Sequence, residues 1–149
     1  MSMLFTTLDI AGSGMRAQRV RMNVASMNLA NARTTRTDEG GPYRRRDVVL
    51  AARPMEASFE ARLRGRLDAV DPPALGVAVE DVVASDDDPI LVYEPGHPDA
   101  DPRGYVAYPN VRPVEEMVNL MGAARAYEAG TTIMRTVRRM AEQAFSIGR

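Results

Sequence analysis

The stretch LFTTLDIAGSGMRAQRVRMNVASMNLANA, residues 4–32, decides the fold of this chain. Its apolar residues recur at alternating spacings of four and three. That spacing is the a/d pattern of a heptad repeat and predicts an amphipathic helix with a narrow stripe for another helix. The stripe consists of Leu4, Leu8, Ala11, Met15, Gln18, Met22, Ala25, Leu29 and Ala32. Gln18 is its polar member, and one polar residue at such a position commonly sets register at some cost in stability.

The opposite face of this helix is polar. Its side chains are Arg16, Arg19, Arg21, Asn23 and Ser26. The helix is therefore amphipathic rather than buried all round, and the arginines form a solvated face. A helix of this length spans on the order of 40 Å, which is longer than so small a domain is wide. We therefore expect the stripe to need partners beyond its own chain.

The composition excludes several classes of protein. The 149 residues include 19 Lys and Arg against 20 Asp and Glu, and this balance argues against a nucleic-acid partner. There is no cysteine, so there is no disulfide framework, thiolate zinc site or cysteine nucleophile. Asp9 and Gly12 interrupt the first apolar residues, and no apolar run approaches the length of a membrane span. We predict neither a cleaved signal peptide nor direct membrane insertion.

The middle of the chain, residues 36–108, reads as a small antiparallel sheet. It begins with the turn-forming residues Gly40, Gly41 and Pro42, and an acidic turn separates its later strands. The predicted strands cover residues 48–50, 77–83, 90–93 and 104–108. The pattern of segment 54–71 fits either a strand or a helix, and it slightly favours the strand. An insert this small cannot cover two long helices.

A second long helix is predicted after Pro113, and no proline follows before Ile147. Pro113 suits the first helical turn, and Glu115 and Glu116 lie where the helix dipole favours anions. The apolar face, with a phase slip near Gly130, comprises Met117, Leu120, Met121, Ala124, Tyr127, Ile133, Val137, Met140, Ala144 and Ile147. This face is wider than one two-helix contact requires, which implies more than one partner helix.

The predicted fold class is α+β. Residues 1–35 form the N-terminal helical region, residues 36–108 the β-rich insert and residues 109–149 the C-terminal helical region. Because the insert returns the chain to its starting end, the two long helices are expected to lie antiparallel as a coiled-coil-like hairpin.

Two groups of motifs resemble the flagellar axial proteins of the rod and hook. The first group is Ser13-Gly14, Gln18, Arg21, Asn28-Leu29-Ala30-Asn31 and Thr34. The second group resembles a subunit of the proximal rod and comprises residues 91–98, Asp101, residues 104–106, 109–111, 116–119 and 125–129. The order and spacing of these short motifs together form a strong signal, although each motif alone is weak. His97, Arg112 and Gly130 depart from the asparagine that is commoner in the family.

The resemblance implies a structural subunit of the bacterial flagellar basal body. It implies that the two long helices form the axial core domain and that the flagellar type III system exports the chain into the periplasmic rod, which transmits torque to the hook. The implied partners are copies of the chain, other rod proteins, the export-gate adaptor at the rod base and the rod cap. The alternative is a cytosolic coiled-coil adaptor or chaperone that binds a partner helix.

The candidate site is an assembly interface on both helices. Its predicted residues are Leu8, Met15, Gln18, Met22, Asn28, Leu29, Asn31, Met117, Leu120, Met121, Tyr127, Ile133, Val137 and Met140. We predict no catalytic residue, cofactor, metal or small-molecule substrate. His97 is the single histidine, and it falls in a predicted turn between glycine and proline. The aspartates at 86–88 lack the spacing of a helix-loop-helix calcium site, so a turn accounts for them.

Overall fold

The computed structural model describes residues 2–55 and 74–147 of the chain. Within these described residues, two long helices flank four strands along the sequence. The elements are α1 (Ser2–Ala30), β1 (Arg46–Pro54), β2 (Leu75–Ala84), β3 (Ile90–Tyr93), β4 (Tyr105–Tyr108) and α2 (Pro113–Ile147). The architecture confirms the α+β class and the start of the second helix at Pro113. The undecided segment lies outside the described residues, except for Pro54, which ends β1, and Met55.

The strands form two separate two-stranded sheets, and the prediction of one small sheet is wrong for the part of the chain described. Strand β1 pairs antiparallel with β2, and strand β3 pairs antiparallel with β4. The first pair contains a register shift between Val49 and Leu50, which face Asp81 and Val79. Glu80 is thus the extra residue of a β-bulge on β2. Period-two patterning identifies a strand but carries no information about which strand pairs with it.

The two helices lie antiparallel where they touch. Arg19 of α1 donates a hydrogen bond to the hydroxyl of Tyr127 on α2, and Asn28 donates one to Glu116. Met15 lies against Gly130. Residue numbers that increase along α1 therefore meet residue numbers that decrease along α2. The helices run this way because the insert returns the chain to the end of α1.

The buried residues of α2 form one continuous line, which we call the inner seam. Every member is buried or half-buried, and the spacing alternates between four and three. The members are Glu116, Leu120, Ala123, Tyr127, Gly130, Met134, Val137 and Ala141. The predicted phase slip near Gly130 is therefore absent. Met117, Met121, Ile133 and Met140 lie outside this line and are exposed, so the predicted apolar face of α2 combined two different faces of the helix.

The most buried residues of α1 are not the apolar stripe but a line of small and polar residues beside it. Ser13, Ala17, Val24 and Asn28 are buried, whereas the stripe residues are half-buried apart from Ala25. The reason is that α1 packs against α2 on one side and against the β1–β2 hairpin on another. The side chains between these two contacts lose the most water, and close packing there favours small residues.

Candidate assembly surface

The outward side of α2 has four exposed apolar residues near its N-terminal end. Val114, Met117, Val118 and Met121 are 72%, 49%, 63% and 55% exposed. Their positions i, i+3, i+4 and i+7 place them on one helix face. We call these four residues the outer stripe. Clustered exposed apolar side chains of this kind mark sites of protein–protein contact. The sequence prediction omits Val114 and Val118, although this spacing signals the face.

The predicted interface residues divide into three groups by burial. Asn28 and Val137 are buried inside the chain. Met117, Met121, Ile133 and Met140 are exposed and accessible to a neighbour. The half-buried group comprises Leu8, Met15, Gln18, Met22, Leu29, Asn31, Leu120 and Tyr127. Contact of the exposed and half-buried groups with another subunit stays a prediction. Asn28 and Val137 are already buried by contacts within this chain.

Asn28 is the centre of a buried hydrogen-bond network. Its Nδ2 donates to the backbone oxygen of Arg46 at 2.8 Å and to Glu116 Oε2 at 3.2 Å. Its Oδ1 accepts from the hydroxyl of Tyr43 at 2.8 Å and from the backbone nitrogen of Arg46 at 2.9 Å. An asparagine side chain has two donors and two acceptor sites, and here all of them are used. The side chain therefore ties α1 to α2 and to the start of β1.

Glu116 is the charged member of the same network and is 2% exposed. Its Oε1 accepts a hydrogen bond from Arg45 Nε at 2.7 Å, and Arg45 also pairs with Asp47. Burial opposes the charge of Arg45, but the hydrogen bond and charge of Glu116, with those of Asp47, outweigh it and raise the pKa of Arg45. Desolvation also raises the pKa of the Tyr43 hydroxyl. We call Asn28, Tyr43, Arg45 and Glu116 the polar cluster.

A groove of about 590 Å³ lies between the end of α1 and the β3–β4 hairpin. Leu29 of α1 lines it, together with Ile90 and Val92 of β3. Pro113 also lines it, so the groove reaches the end of α2 at which the outer stripe begins. The apolar surface of the groove and the outer stripe are therefore close neighbours.

Ser13 fastens the first hairpin to α1. Its hydroxyl donates to the backbone oxygen of Ile10 at 2.7 Å and accepts from the backbone nitrogen of Val77 at 3.0 Å. A Cβ at Gly76 would lie 3.0 Å from the Ser13 oxygen and would also meet Met55. The missing side chain at Gly76 thus permits the close approach of β2 to the helix.

Comparison with known proteins connects this geometry with one family. Residues 8–36 match the family described as flagella basal body rod protein, and residues 103–147 match the one described as flagellar basal body rod FlgEFG protein C-terminal. The flagellar basal-body rod protein FlgC of Bacillus subtilis is 41% identical over 97% of this chain and 98% of its own length. The FlgC proteins of Salmonella typhimurium and Borreliella burgdorferi are 41% and 39% identical, over 97% of this chain and 98% and 97% of their own lengths. This chain belongs to the FlgC family.

Membership in the FlgC family confirms the resemblance found in the motifs. The chain is a structural protein of the flagellar basal-body rod, where rod proteins assemble with one another, and it is not an enzyme. The relatives do not favour the alternative of a cytosolic adaptor or chaperone.

His97 has a local structural role. Its Nδ1 accepts a hydrogen bond from the backbone nitrogen of Asp99 at 3.1 Å. Its ring meets Tyr108 edge to face, with 6.3 Å between the centroids. The carboxylate of Asp99 accepts a hydrogen bond from Thr35, so this turn is joined to the loop after α1.

Within residues 2–55 and 74–147, no group of potential metal ligands is present and neither helix is apolar enough over sufficient length to cross a membrane.

Met15 occupies the space that a side chain at Gly130 would need. A Cβ at Gly130 would lie 2.6 Å from Met15 Cγ. We expect Gly130→Ala to lower the free energy of unfolding by on the order of 1 kcal/mol, because overpacking costs about 1–3 kcal/mol and helix propensity returns about 1 kcal/mol. Urea unfolding followed by the helical circular dichroism signal measures this change.

Gly122→Ala is the matched control, because nothing lies within 4 Å of a Cβ at this exposed helical position. It should raise the unfolding free energy by up to about 1 kcal/mol. Equal stabilisation by both substitutions would contradict the close contact between Met15 and Gly130.

Proposed function

We propose that this FlgC-family chain is a subunit of the proximal rod, the periplasmic part of the drive shaft that transmits torque to the hook. In this proposal the flagellar type III system exports the chain unfolded and without a cleaved signal peptide. Its partners are copies of itself, other rod proteins, the export-gate adaptor at the rod base and the rod cap. The family membership supports the rod role, and the resemblance of the motifs supports the export route and the individual partners.

The proposal assigns different tasks to the parts of the chain. Residues 1–35 and 109–149 form the axial core domain, in which α1 and α2 pack as a coiled-coil-like hairpin. The alternating four and three spacing of the inner seam supports this packing. Residues 36–108 form the insert, whose β1–β2 hairpin is held on α1 through Ser13 and Val77.

The observation that carries the proposal is that α2 has apolar residues on two faces. The inner seam is covered by α1, yet the outer stripe remains exposed in the single chain. A helix with one covered and one uncovered apolar face fits a subunit that packs against neighbours. Repeated contacts between unlike surfaces of identical subunits generate a helical filament when the rotation from one subunit to the next does not close into a ring. A helical filament is the symmetry that a rod requires.

Leu29→Asp tests the assembly role of the groove beside the outer stripe. A carboxylate placed in an apolar interface costs several kcal/mol if it stays buried. Cells that carry only this variant should make and export the protein but should lack it in isolated basal bodies, and they should not swim. Basal bodies are assayed by immunoblotting, and export is assayed in the periplasmic fraction.

Leu29→Met is the control, because a swap of similar volume usually costs less than about 1.5 kcal/mol. Circular dichroism of both purified variants checks that α1 still forms, since Leu29 also lines the groove of its own chain. Normal swimming of the Leu29→Asp cells would count decisively against an interface at this position.

A further inference from the structure

The apolar contacts between α1 and α2 select one alignment of the helices only weakly. Large apolar residues recur every seven positions along α1, at Leu8, Met15, Met22 and Leu29. The inner seam of α2 repeats with the same period, with small residues at 123, 130 and 137 and large ones at 120, 127 and 134. Sliding α2 by seven residues, about 10 Å along the axis, places Ala123 or, in the other direction, Val137 opposite Met15, so the apolar contacts oppose a shift toward Ala123 at this position only by one added methyl group.

The polar cluster has no such repeat. Asn28 and Glu116 are each almost fully buried, and the inner seam has no second carboxylate among its members. A shift of seven residues would remove Glu116 from both Asn28 and Arg45, and would leave buried polar groups without partners. Buried donors and acceptors that lose their partners are costly, more so when one is charged. The contact of Arg19 with Tyr127 would also be lost, but it is exposed and therefore worth less.

We propose that the polar cluster sets the register of α1 against α2, and that Glu116 and Arg45 serve this alignment rather than the stability of the helix pair. A buried ion pair is often replaceable by apolar residues without loss of stability, whereas buried polar residues between helices can specify register. Because Arg45 and Tyr43 precede β1, the cluster also makes the correct alignment depend on the position of the insert. Asn28 and Glu116 are the positioning residues on the two helices.

A competition between two disulfides in the full-length chain tests the proposal. The chain has no cysteine of its own, so Met15→Cys, Gly130→Cys and Ala123→Cys introduce the only thiols. Met15 Cβ lies 4.0 Å from an ideal Cβ at Gly130, within the usual range for a disulfide. The thiol at position 15 reports the native register when it pairs with position 130, and a shift of one heptad when it pairs with position 123. Equilibration of dilute protein in a glutathione buffer, followed by peptide mapping, gives the ratio of the two bonds.

The decisive variant adds Arg45→Leu and Glu116→Leu to this three-thiol chain. We expect it to keep the helical circular dichroism signal of the parent, while the ratio of the native to the shifted disulfide falls at least tenfold. Glu116→Gln is the conservative variant, because its side-chain oxygen can still accept from Asn28 or Arg45. It should leave the ratio within about threefold of the parent. That change is well below the tenfold change, about 1.4 kcal/mol, that we expect from the double variant.

Each outcome decides the question. An unchanged ratio in the double variant would overturn the proposal and place the register in the connections to the insert, for example at buried Val111. Loss of the helical signal would also overturn it, because the cluster would then be required for folding rather than for alignment. A shifted ratio with intact helices in the double variant, together with a ratio near that of the parent in Glu116→Gln, would establish the polar cluster as the register device.

Discussion

Val118→Asp should abolish swimming and should leave no detectable protein in isolated basal bodies, while the free chain keeps its stability. Val118 is 63% exposed in the single chain, so a carboxylate there remains in water. Valine and aspartate have similar helix propensities, and surface substitutions usually change stability by less than about 0.5 kcal/mol. In the assembled rod, a neighbour that covers the outer stripe would bury the charge without a partner, at a cost of several kcal/mol. Every subunit would carry this cost.

Thr132→Asp is the matched control for this substitution. It introduces the same carboxylate on α2, fourteen residues further along, and thus on nearly the same side of the helix. Threonine has the shape of valine. The exposed surroundings of Thr132 already contain charged residues at 125, 128 and 135. We expect normal basal bodies from this variant. Normal incorporation of Val118→Asp would remove the outer stripe from the assembly interface, and failure of both variants would show that α2 tolerates no added charge.

The helices and strands themselves could be predicted from local patterns. Strand β3 occupies residues 90–93, as the run of apolar and aromatic residues between two turns indicates, and α2 begins at Pro113. Such boundaries depend on residues that stop or start regular structure nearby in the sequence. The pairing of the strands could not be predicted in this way, because β2 and β3 are adjacent in the sequence and yet belong to different sheets.

The buried face of α1 was harder to predict because hydrophobicity does not measure burial where three elements meet. Ser13 is buried because its hydroxyl holds β2, and Asn28 is buried because four hydrogen bonds, with three residues, satisfy its amide. Neither residue counts as apolar in a periodic pattern. Met15 and Met22 do count, yet they are half-buried, even though Met15 lies against Gly130 of the inner seam.

The polar cluster at the candidate site could likewise not be predicted from the sequence pattern. Glu116 has the spacing of an inner-seam residue, but the sequence offers a simpler reason for it as an acidic residue in the first turn of a helix. Its main ionic partner, Arg45, is 71 residues away and stands among three consecutive arginines. Only the folded chain shows that one of these three arginines is bound to a buried carboxylate.

Deleting the residues after Tyr127 should abolish incorporation into the basal body completely. The deletion removes Gly130 and Val137 from the inner seam, and with them the contact that covers Met15. The N-terminal half of α1 then has no helical partner and exposes apolar residues, so it cannot offset the entropy of staying ordered. The outer stripe and the polar cluster are both retained in the shortened chain. A failure to assemble would therefore identify the second half of α2 as a separate requirement.

The insert should survive this deletion, which separates loss of assembly from loss of folding. Isolated two-stranded hairpins are marginally stable, but in the shortened chain the backbone before β1 keeps its hydrogen bonds to Asn28, and Asn28 keeps its partner Glu116 on the remaining part of α2. Amide exchange should show protection in β1 and β2 similar to that in the full chain. The double substitution of Arg138 and Glu142 by alanine is the control, since it breaks an exposed ion pair and keeps the length and inner seam of α2. If the shortened chain enters basal bodies in normal amounts, the second half of α2 is not an assembly element and the packing of α1 along its whole length is not required for the rod.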